Sequence, residues 1–235
     1  MQNYVDDTGE TSKAGARPRA RLYERLLGEA WSEVDEPVRR LHARGSGTCG
    51  EGLFKVRRGN FIARTLARLA GLPARGDGVR VCLSVTHTEG GEAERWHRTF
   101  EGRSFDTLQR EGEGRVLAER AGPFELLFKL SEEGGALVYR QAGAALRVGR
   151  QRVPLPRSFA PRVEARERGA DDGRSVEVYV SSSAPLVGLM LTYEGRLSMA
   201  TDEVSTADGV TMPDGVSMTD GVTATGGVFT EVDEI

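Results

Sequence analysis

The sequence is poor in cysteine and in long apolar runs, and each shortage excludes a class of protein. Its 235 residues include only two cysteines, Cys49 and Cys82, so we exclude a disulfide scaffold and expect a reducing compartment. No stretch approaches the roughly 20 apolar residues that a membrane span needs. No basic start followed by an apolar run marks a secretory signal. We therefore predict a cytoplasmic protein without a membrane span.

Neither end of the chain shows a helical or strand-like periodic pattern of apolar residues. Residues 1–19 have almost none, which predicts disorder. Residues 201–235 contain eight acidic residues, no lysine or arginine, and the six-residue repeat STADGV, TMPDGV, SMTDGV, TATGGV. These hexads are too few for a stacked β-helix, so we predict an acidic low-complexity tail. Without the tail, the net charge of −3 becomes +5, and residues 20–200 remain as one domain.

Motifs for metal, cofactor and nucleic-acid binding are also missing. The three histidines, His42, His87 and His97, are not spaced as helical metal ligands, and no cysteine or carboxylate cluster completes a metal set. GSGTCG at 45–50 matches the glycine pattern of dinucleotide sites, but a strand follows it where such a site needs a helix. A pI of 5.8 argues against a nucleic-acid partner. We predict no metal, no cofactor and no nucleic acid.

Hydrophobic periodicity predicts a few helices followed by many strands. Helices are predicted over 21–31, after Pro37 and after Asn60, with a strand at 52–58. From Val79 onward the period is two, over nine segments separated mostly by Gly, Pro or Asp-Gly. Strands so close in sequence must pair antiparallel, and a large sheet of them curls or closes. We predict an α+β fold, a large curved antiparallel sheet or barrel of about nine strands with two or three N-terminal helices packed on it.

One stretch, ERWHRTFEGRSFDTLQ at 94–109, predicts a β-hairpin that turns at Glu101-Gly102. Arg98 then lies opposite Phe105, within reach of a cation–π contact. We favour a core role for this aromatic face over a ligand-binding wall, and both remain open. The face carries Trp96, Arg98, Phe100, Arg103 and Phe105.

The other face of this hairpin places His97 opposite Asp106. The pair suits a general base with its orienting carboxylate, but an exposed cross-strand pair is the simpler interpretation. Glu164 is a second carboxylate of interest, because Arg162 and Arg166 flank it at strand spacing. We predict that this strand presents all three side chains to solvent.

Three functional hypotheses follow. We favour a non-catalytic domain that binds a small apolar or amphipathic molecule, such as a lipid, inside the curved sheet. The first alternative is an enzyme that uses His97 with Asp106 or Glu164 on a product of a partner oxidoreductase. The second is a structural or protein-interaction accessory module. The candidate ligand-binding residues are Trp96, Arg98, Phe100, Arg103, Phe105, Phe124, Phe128 and Tyr139, with Arg98 or Arg103 meeting a carboxylate or phosphate head.

Several stretches together resemble a bacterial family, domain of unknown function 4166. They are LYERLLGEAW at 22–31, VRRLH at 38–42, FKVRRG at 54–59, the hairpin at 94–109, VPLPRSFAPRVEARE at 153–167 and PLVGLMLTYEGRL at 185–197. The resemblance implies a domain that stands alone or follows a nucleotide-binding oxidoreductase domain. It implies no catalytic residues. Gly195-Arg196-Leu197 departs from the family's Gly-Trp-Leu.

Overall fold

A computed structural model of the chain describes residues 21–43, 48–69, 73–88 and 92–199. The segment predicted to be disordered, 1–19, and the predicted acidic tail, 201–235, lie outside the described residues. The described part therefore coincides with the segment in which the sequence predicts a single α+β domain.

The helices lie in the first part of the described chain. Instead of one helix over 21–31, α1 ends early and a 3-10 turn follows it. Gly28 makes this break, because its φ of +63° is a left-handed conformation that favours glycine. Asn60 begins the third helix as predicted, since its Oδ1 accepts the backbone N–H of Ala63 at 2.9 Å. The bounds are α1 Leu22–Leu27, the 3-10 turn Gly28–Glu33, α2 Glu36–Ala43 and α3 Phe61–Leu69.

Within the described ranges, eleven strands form one antiparallel sheet in the order β6-β5-β4-β3-β2-β1-β11-β10-β9-β7-β8. Pairing of β6 with β7 closes ten of them into a barrel, and β8 extends from β7 as an edge. The predicted antiparallel barrel is confirmed. The bounds are β1 Thr48–Arg58, β2 Gly76–His87, β3 Ala93–Phe100, β4 Arg103–Gly112, β5 Val116–Ala121, β6 Phe124–Glu133, β7 Ala136–Val148, β8 Gln151–Pro154, β9 Arg162–Gly169, β10 Ser175–Ala184 and β11 Gly188–Met199.

The hairpin predicted at 94–109 is confirmed in its turn and its register. Glu101 and Gly102 both have positive φ, 48° and 80°, as a two-residue turn between twisted strands requires. Arg98 lies opposite Phe105, and His97 lies opposite Asp106. The register fixes which side chains of β3 and β4 face the barrel interior.

The two ends of the barrel differ in what covers them. At one end, which we call the helix-capped end, α1 and α2 pack against the barrel. Asp35 fastens them there: its backbone N–H donates to Gly135 O at 2.8 Å, and its Oδ2 accepts from the backbone N–H of Gly169 at 2.9 Å. The opposite end, which we call the far end, holds the β3–β4 turn. There α3 packs beside β11, and Asn60 Nδ2 donates to Val187 O at 3.0 Å.

Alternate residues of each strand face the interior and form the core with the helices. Leu22, Tyr23, Val38 and Leu41 come from the helices and are fully buried against it. Burying side chains of this size contributes about 1.5 to 3 kcal/mol each. The buried aromatic strand residues of the cluster are Phe54, Trp96, Phe100, Phe128 and Tyr139.

Candidate functional site

The inward face of the β3–β4 hairpin places an arginine among aromatic rings. Trp96 and Phe100 are buried, and Phe105 is half-buried. Arg98 Nη1 donates to Thr107 Oγ1 at 2.9 Å, and the guanidinium lies 4.8 Å from the ring centre of Trp96. The predicted cation–π contact therefore exists, but with Trp96 on the same strand rather than with Phe105. The Arg98 side chain lies over Trp96 because its hydrogen bond to Thr107 holds it in that orientation.

Carboxylates inside the barrel balance the charge of Arg98. Its Nη2 lies 3.7 Å from Glu119 Oε1. Burial acts to lower the pKa of Arg98, but Tyr193, Glu119, Tyr23 and Glu167 outweigh burial and raise it. Arg98 is therefore a permanent cation of the interior.

At the helix-capped end, His42 of α2 connects opposite walls of the barrel. Its Nε2 lies 2.7 Å from Glu167 Oε2 on β9, and its ring centre lies 5.2 Å from that of Trp96 on β3. Four strands separate β3 from β9 in either direction around the barrel. His42 is almost fully buried, and the side chain of Glu167 is only 11% exposed.

A tyrosine from α1 completes this end of the site. Tyr139 O–H donates to Tyr23 Oη at 3.3 Å, and Tyr23 O–H donates to Gln109 Oε1 at 2.6 Å. The Tyr23 ring lies 3.8 Å from the His42 ring, centre to centre. The relay joins a helix to β4 and to β7, which β5 and β6 separate in the wall of the barrel.

Glu94 is the most buried carboxylate of the interior. Trp96 Nε1 donates to its Oε2 at 3.1 Å, and His87 Nε2 lies 3.5 Å from its Oε1. Within the described residues, Glu94 Oε1, His42 Nδ1 and both ring nitrogens of His87 have no hydrogen-bond partner. A buried polar atom without a partner costs about 1 to 3 kcal/mol. These atoms identify the helix-capped end of the barrel interior as a place where a polar group can form hydrogen bonds.

Burial raises the pKa values of three tyrosines of the interior, and nearby carboxylates raise them further. Burial raises the pKa of Tyr23 well above its usual value, with help from Glu94 and Glu167. Burial, followed by Glu167, likewise raises the pKa of Tyr139. Burial raises the pKa of Tyr193 to about 12, against the opposing charge of Arg98. These hydroxyls stay protonated and serve as hydrogen-bond donors and acceptors.

The structure brings together most of the residues predicted from the sequence to bind a ligand. Phe128 and Tyr139 pack edge to face with ring centres 6.0 Å apart, and Phe100 lies 5.5 Å from Tyr193 in the same way. Phe124 lies at the start of β6 and is 40% exposed. Arg103 is exposed next to the β3–β4 turn. Neither of these two belongs to the buried interior.

The pair proposed for an enzyme lies on the outer face of the barrel. His97 Nδ1 is 2.5 Å from Asp106 Oδ1, with both side chains about half exposed at 46% and 55%. Glu164 is exposed on β9, on the opposite side of the barrel from β3, as are its neighbours Arg162 and Arg166. The solvent-facing prediction for that strand is confirmed. Because His97 and Glu164 lie on opposite walls, the structure does not place them in one site.

Sequence analysis missed most polar members of the interior. They are Tyr23, His42, Glu94, Gln109, Glu119, Glu167 and Tyr193. The signal for Glu94 was available, since it shares its strand face with Trp96 and Arg98. The pairing of His42 with Glu167 had no local signal, because 125 residues separate the two.

Among the described residues, no group of three or more histidine, cysteine, aspartate or glutamate side chains is arranged to hold a metal ion. In the same part of the chain, no helix is long and apolar enough to cross a membrane.

Comparisons with known proteins give a family. The family model described as Domain of unknown function (DUF4166) matches residues 35–197. No curated protein matches the chain. The crystal structure of Rv2717c from M. tuberculosis aligns with a TM-score of 0.40 and 11% identity, over 72% of this chain and 99% of that one. A likeness at this TM-score carries no argument about function.

Proposed function

The chain belongs to the DUF4166 family, and we propose that this member is a binding protein whose barrel interior takes a small amphipathic molecule. The apolar part of the ligand lies against the aromatic side chains of the interior, and its polar group lies at the helix-capped end. A closed barrel of about this size can hold one small ligand.

The observation that carries this proposal is the set of buried polar atoms around Glu94 and His42 that lack a hydrogen bond. Glu94 Oε1 and His42 Nδ1 are buried and have no hydrogen-bond partner among the described residues. A neutral His42 that donates from Nε2 to Glu167 leaves Nδ1 as an acceptor. The ligand group that complements these two acceptors is a hydrogen-bond donor.

The charges of the interior favour the same kind of ligand. Three carboxylates, Glu94, Glu119 and Glu167, face one guanidinium, Arg98, which Glu119 and Thr107 already engage. With neutral histidines the interior carries excess negative charge, which repels a carboxylate or phosphate head. We therefore revise the acidic head expected from the sequence to an amine or hydroxyl, and propose the alkyl amines as the ligand class.

A titration of the full chain with three probes of equal alkyl length tests this proposal. Octylamine, octanol and octanoate are added separately while the fluorescence of Trp96 and Trp31 is followed, since both rings lie near His42. We expect a saturable change with octylamine, weaker binding of octanol, and octanoate weaker than octylamine by about tenfold or more. Equal affinity for the amine and the carboxylate would falsify the placement of the polar group.

Two matched variants locate the interaction. Glu94→Gln keeps the shape of the side chain and removes its charge, so the preference for octylamine should fall by about tenfold. Glu164→Gln removes an exposed carboxylate from the outer face and should leave the titration unchanged.

Native mass spectrometry of gently purified protein gives an independent result. An excess of a few hundred daltons that disappears on denaturation supports the proposal and gives the mass of the natural ligand. A dimer without excess mass, together with no response to any probe, favours the protein-interaction module instead.

A further inference from the structure

A second concave site lies at the far end of the barrel, away from the interior site. It is a cavity of about 370 Å³, at the lower end of the sizes typical of small-molecule sites. Four arginines line it, Arg58, Arg64, Arg75 and Arg103, together with the ring of Phe61 and the hydroxyl-bearing Thr65. We call it the arginine pocket.

The four arginines come from four separate segments that the fold gathers at this end. Arg58 ends β1, and Arg64 lies on α3. Arg75 immediately precedes β2, and Arg103 begins β4 after the hairpin turn. Arg58 is held in place, because its Nε donates to Pro73 O at 2.6 Å. The pocket is therefore built by tertiary structure and not by one basic segment.

Three of these arginines, Arg64, Arg75 and Arg103, have no acidic partner within 4.0 Å among the residues that the structure describes. None of the described residues that line the pocket is acidic. By contrast, three arginines on the outer face, Arg110, Arg147 and Arg152, converge on the buried carboxylate of Glu125 at 2.5 to 3.2 Å.

Gathering guanidinium groups around one cavity without a carboxylate raises their mutual repulsion, and an anion relieves it. Guanidinium groups match phosphate oxygens in geometry and donate two parallel hydrogen bonds to them. Phe61 is 73% exposed beside these arginines, with the guanidinium of Arg64 6.0 Å from its ring centre. An exposed aromatic ring next to the charges suits an apolar or aromatic group attached to the anion.

We propose that the arginine pocket binds a phosphate monoester group that carries an apolar or aromatic substituent, with the phosphate among the arginines and the substituent on Phe61. The chemistry is the same whether the phosphate belongs to a soluble molecule or to a lipid headgroup. The site is separate from the interior, so it stands independently of the function proposed above.

Calorimetric titration of the full chain in phosphate-free buffer at low ionic strength tests the proposal. The soluble probes are inorganic phosphate, phenyl phosphate and phenol, which has the ring but not the phosphate. We expect phenyl phosphate to bind more tightly than inorganic phosphate, and phenol to show no binding at this site. A second arm measures co-sedimentation with neutral phosphatidylcholine vesicles, with and without phosphatidic acid.

Three exposed residues serve for the variants, so that folding is preserved. Arg64→Gln and Arg103→Gln should each weaken phenyl phosphate binding about tenfold, because each removes a charge-assisted hydrogen bond. Phe61→Ala should weaken phenyl phosphate but leave inorganic phosphate unchanged. The control is Arg95→Gln, which removes an exposed arginine from the outer face of β3 and should change neither probe.

Each outcome decides the proposal. Pocket-dependent binding of phenyl phosphate supports it with a soluble ligand, and pocket-dependent binding confined to phosphatidic acid vesicles supports it with a lipid headgroup. The proposal is overturned if neither arm shows binding, or if Arg95→Gln weakens binding as much as Arg64→Gln and Arg103→Gln do. The alkyl amine titration is unaffected in either case, so the two proposals fail separately.

Discussion

Two of the histidine–carboxylate pairs in the described residues differ in their surroundings, since one lies inside the barrel and the other on its outer face. His42 and Glu167 lie 2.7 Å apart and are almost fully buried, whereas His97 and Asp106 lie 2.5 Å apart and are about half exposed. Both contacts are short, but the solvent exposure of the two pairs differs. A contact distance alone therefore does not identify a functional pair, because solvent screens the outer pair and leaves the inner one unscreened.

Aromatic side chains show the same contrast between interior and surface. Tyr23 is fully buried among other rings, while Phe61 is largely exposed at the arginine pocket. Polar and aromatic side chains inside the barrel stabilise the fold and also line the candidate site. Those on the outer surface contribute little to the free energy of unfolding. The differences can be measured with matched substitutions.

The largest difference is expected between Tyr23→Ala and Phe61→Ala. Removing a large buried ring leaves a cavity and should lower the free energy of unfolding by about 3 to 5 kcal/mol. Removing the exposed Phe61 should change it by less than about 0.5 kcal/mol. Urea unfolding followed by circular dichroism gives both values. Similar losses for the two variants would contradict the assignment of α1 to the barrel core.

The two histidine–carboxylate pairs give the next largest difference. Glu167→Ala leaves the buried ring of His42 without its hydrogen-bond partner and should cost about 1 to 3 kcal/mol. Asp106→Ala breaks the exposed pair and should cost no more than about 1 kcal/mol. Thermal or urea unfolding of both variants under the same buffer compares them directly. If the Asp106 variant lost more stability than the Glu167 variant, the outer pair would need a functional explanation.

The smallest expected effect concerns alkaline pH and the interior tyrosines. Burial raises the pKa of Tyr193 to about 12, from a usual value of 10. Between these values the unfolded chain loses its proton first, so the free energy of unfolding falls as pH rises from 10 to 12. One such group contributes at most about 1.4 kcal/mol per pH unit. Urea midpoints at several pH values should therefore decline less steeply for Tyr193→Phe.

Tyr179→Phe is the control for that measurement, since Tyr179 is 42% exposed on β10. Tyr23 and Tyr139 also have raised pKa values, so part of the alkaline decline remains in Tyr193→Phe. An unchanged slope in Tyr193→Phe would show that its hydroxyl is already accessible to hydroxide in the folded protein.

Sequence analysis predicted the local features of the fold well. The antiparallel pairing and the turn at Glu101-Gly102 follow from period-two patterns and turn chemistry, which act between neighbours in the chain. β8, which ends at Pro154, is the edge strand outside the closed barrel, as expected for a proline that has no N–H to donate in a central strand. The break of α1 at Gly28 was missed, because the apolar stripe continues past it.

The candidate site was predictable only in part. The inward set on β3 followed from strand alternation, and so did the outward position of His97 and Asp106. The prediction of Phe105 as the cation–π partner of Arg98 was wrong, because the direction of a long side chain depends on its hydrogen bonds and not on register alone.

The sequence by itself determined where the chain turns and which side chains of each strand share a face. Side chains alternate between the two faces of a strand, and both features depend on residues a few positions apart. Only the tertiary structure decided that His42 contacts Glu167 beside Trp96, and that four arginines meet at the far end. The contact between His42 and Glu167 lies in a closed sheet in which β1 pairs with β11, where Gly50 lies opposite Met199. Closure brings together residues more than a hundred positions apart, and no local pattern encodes that separation.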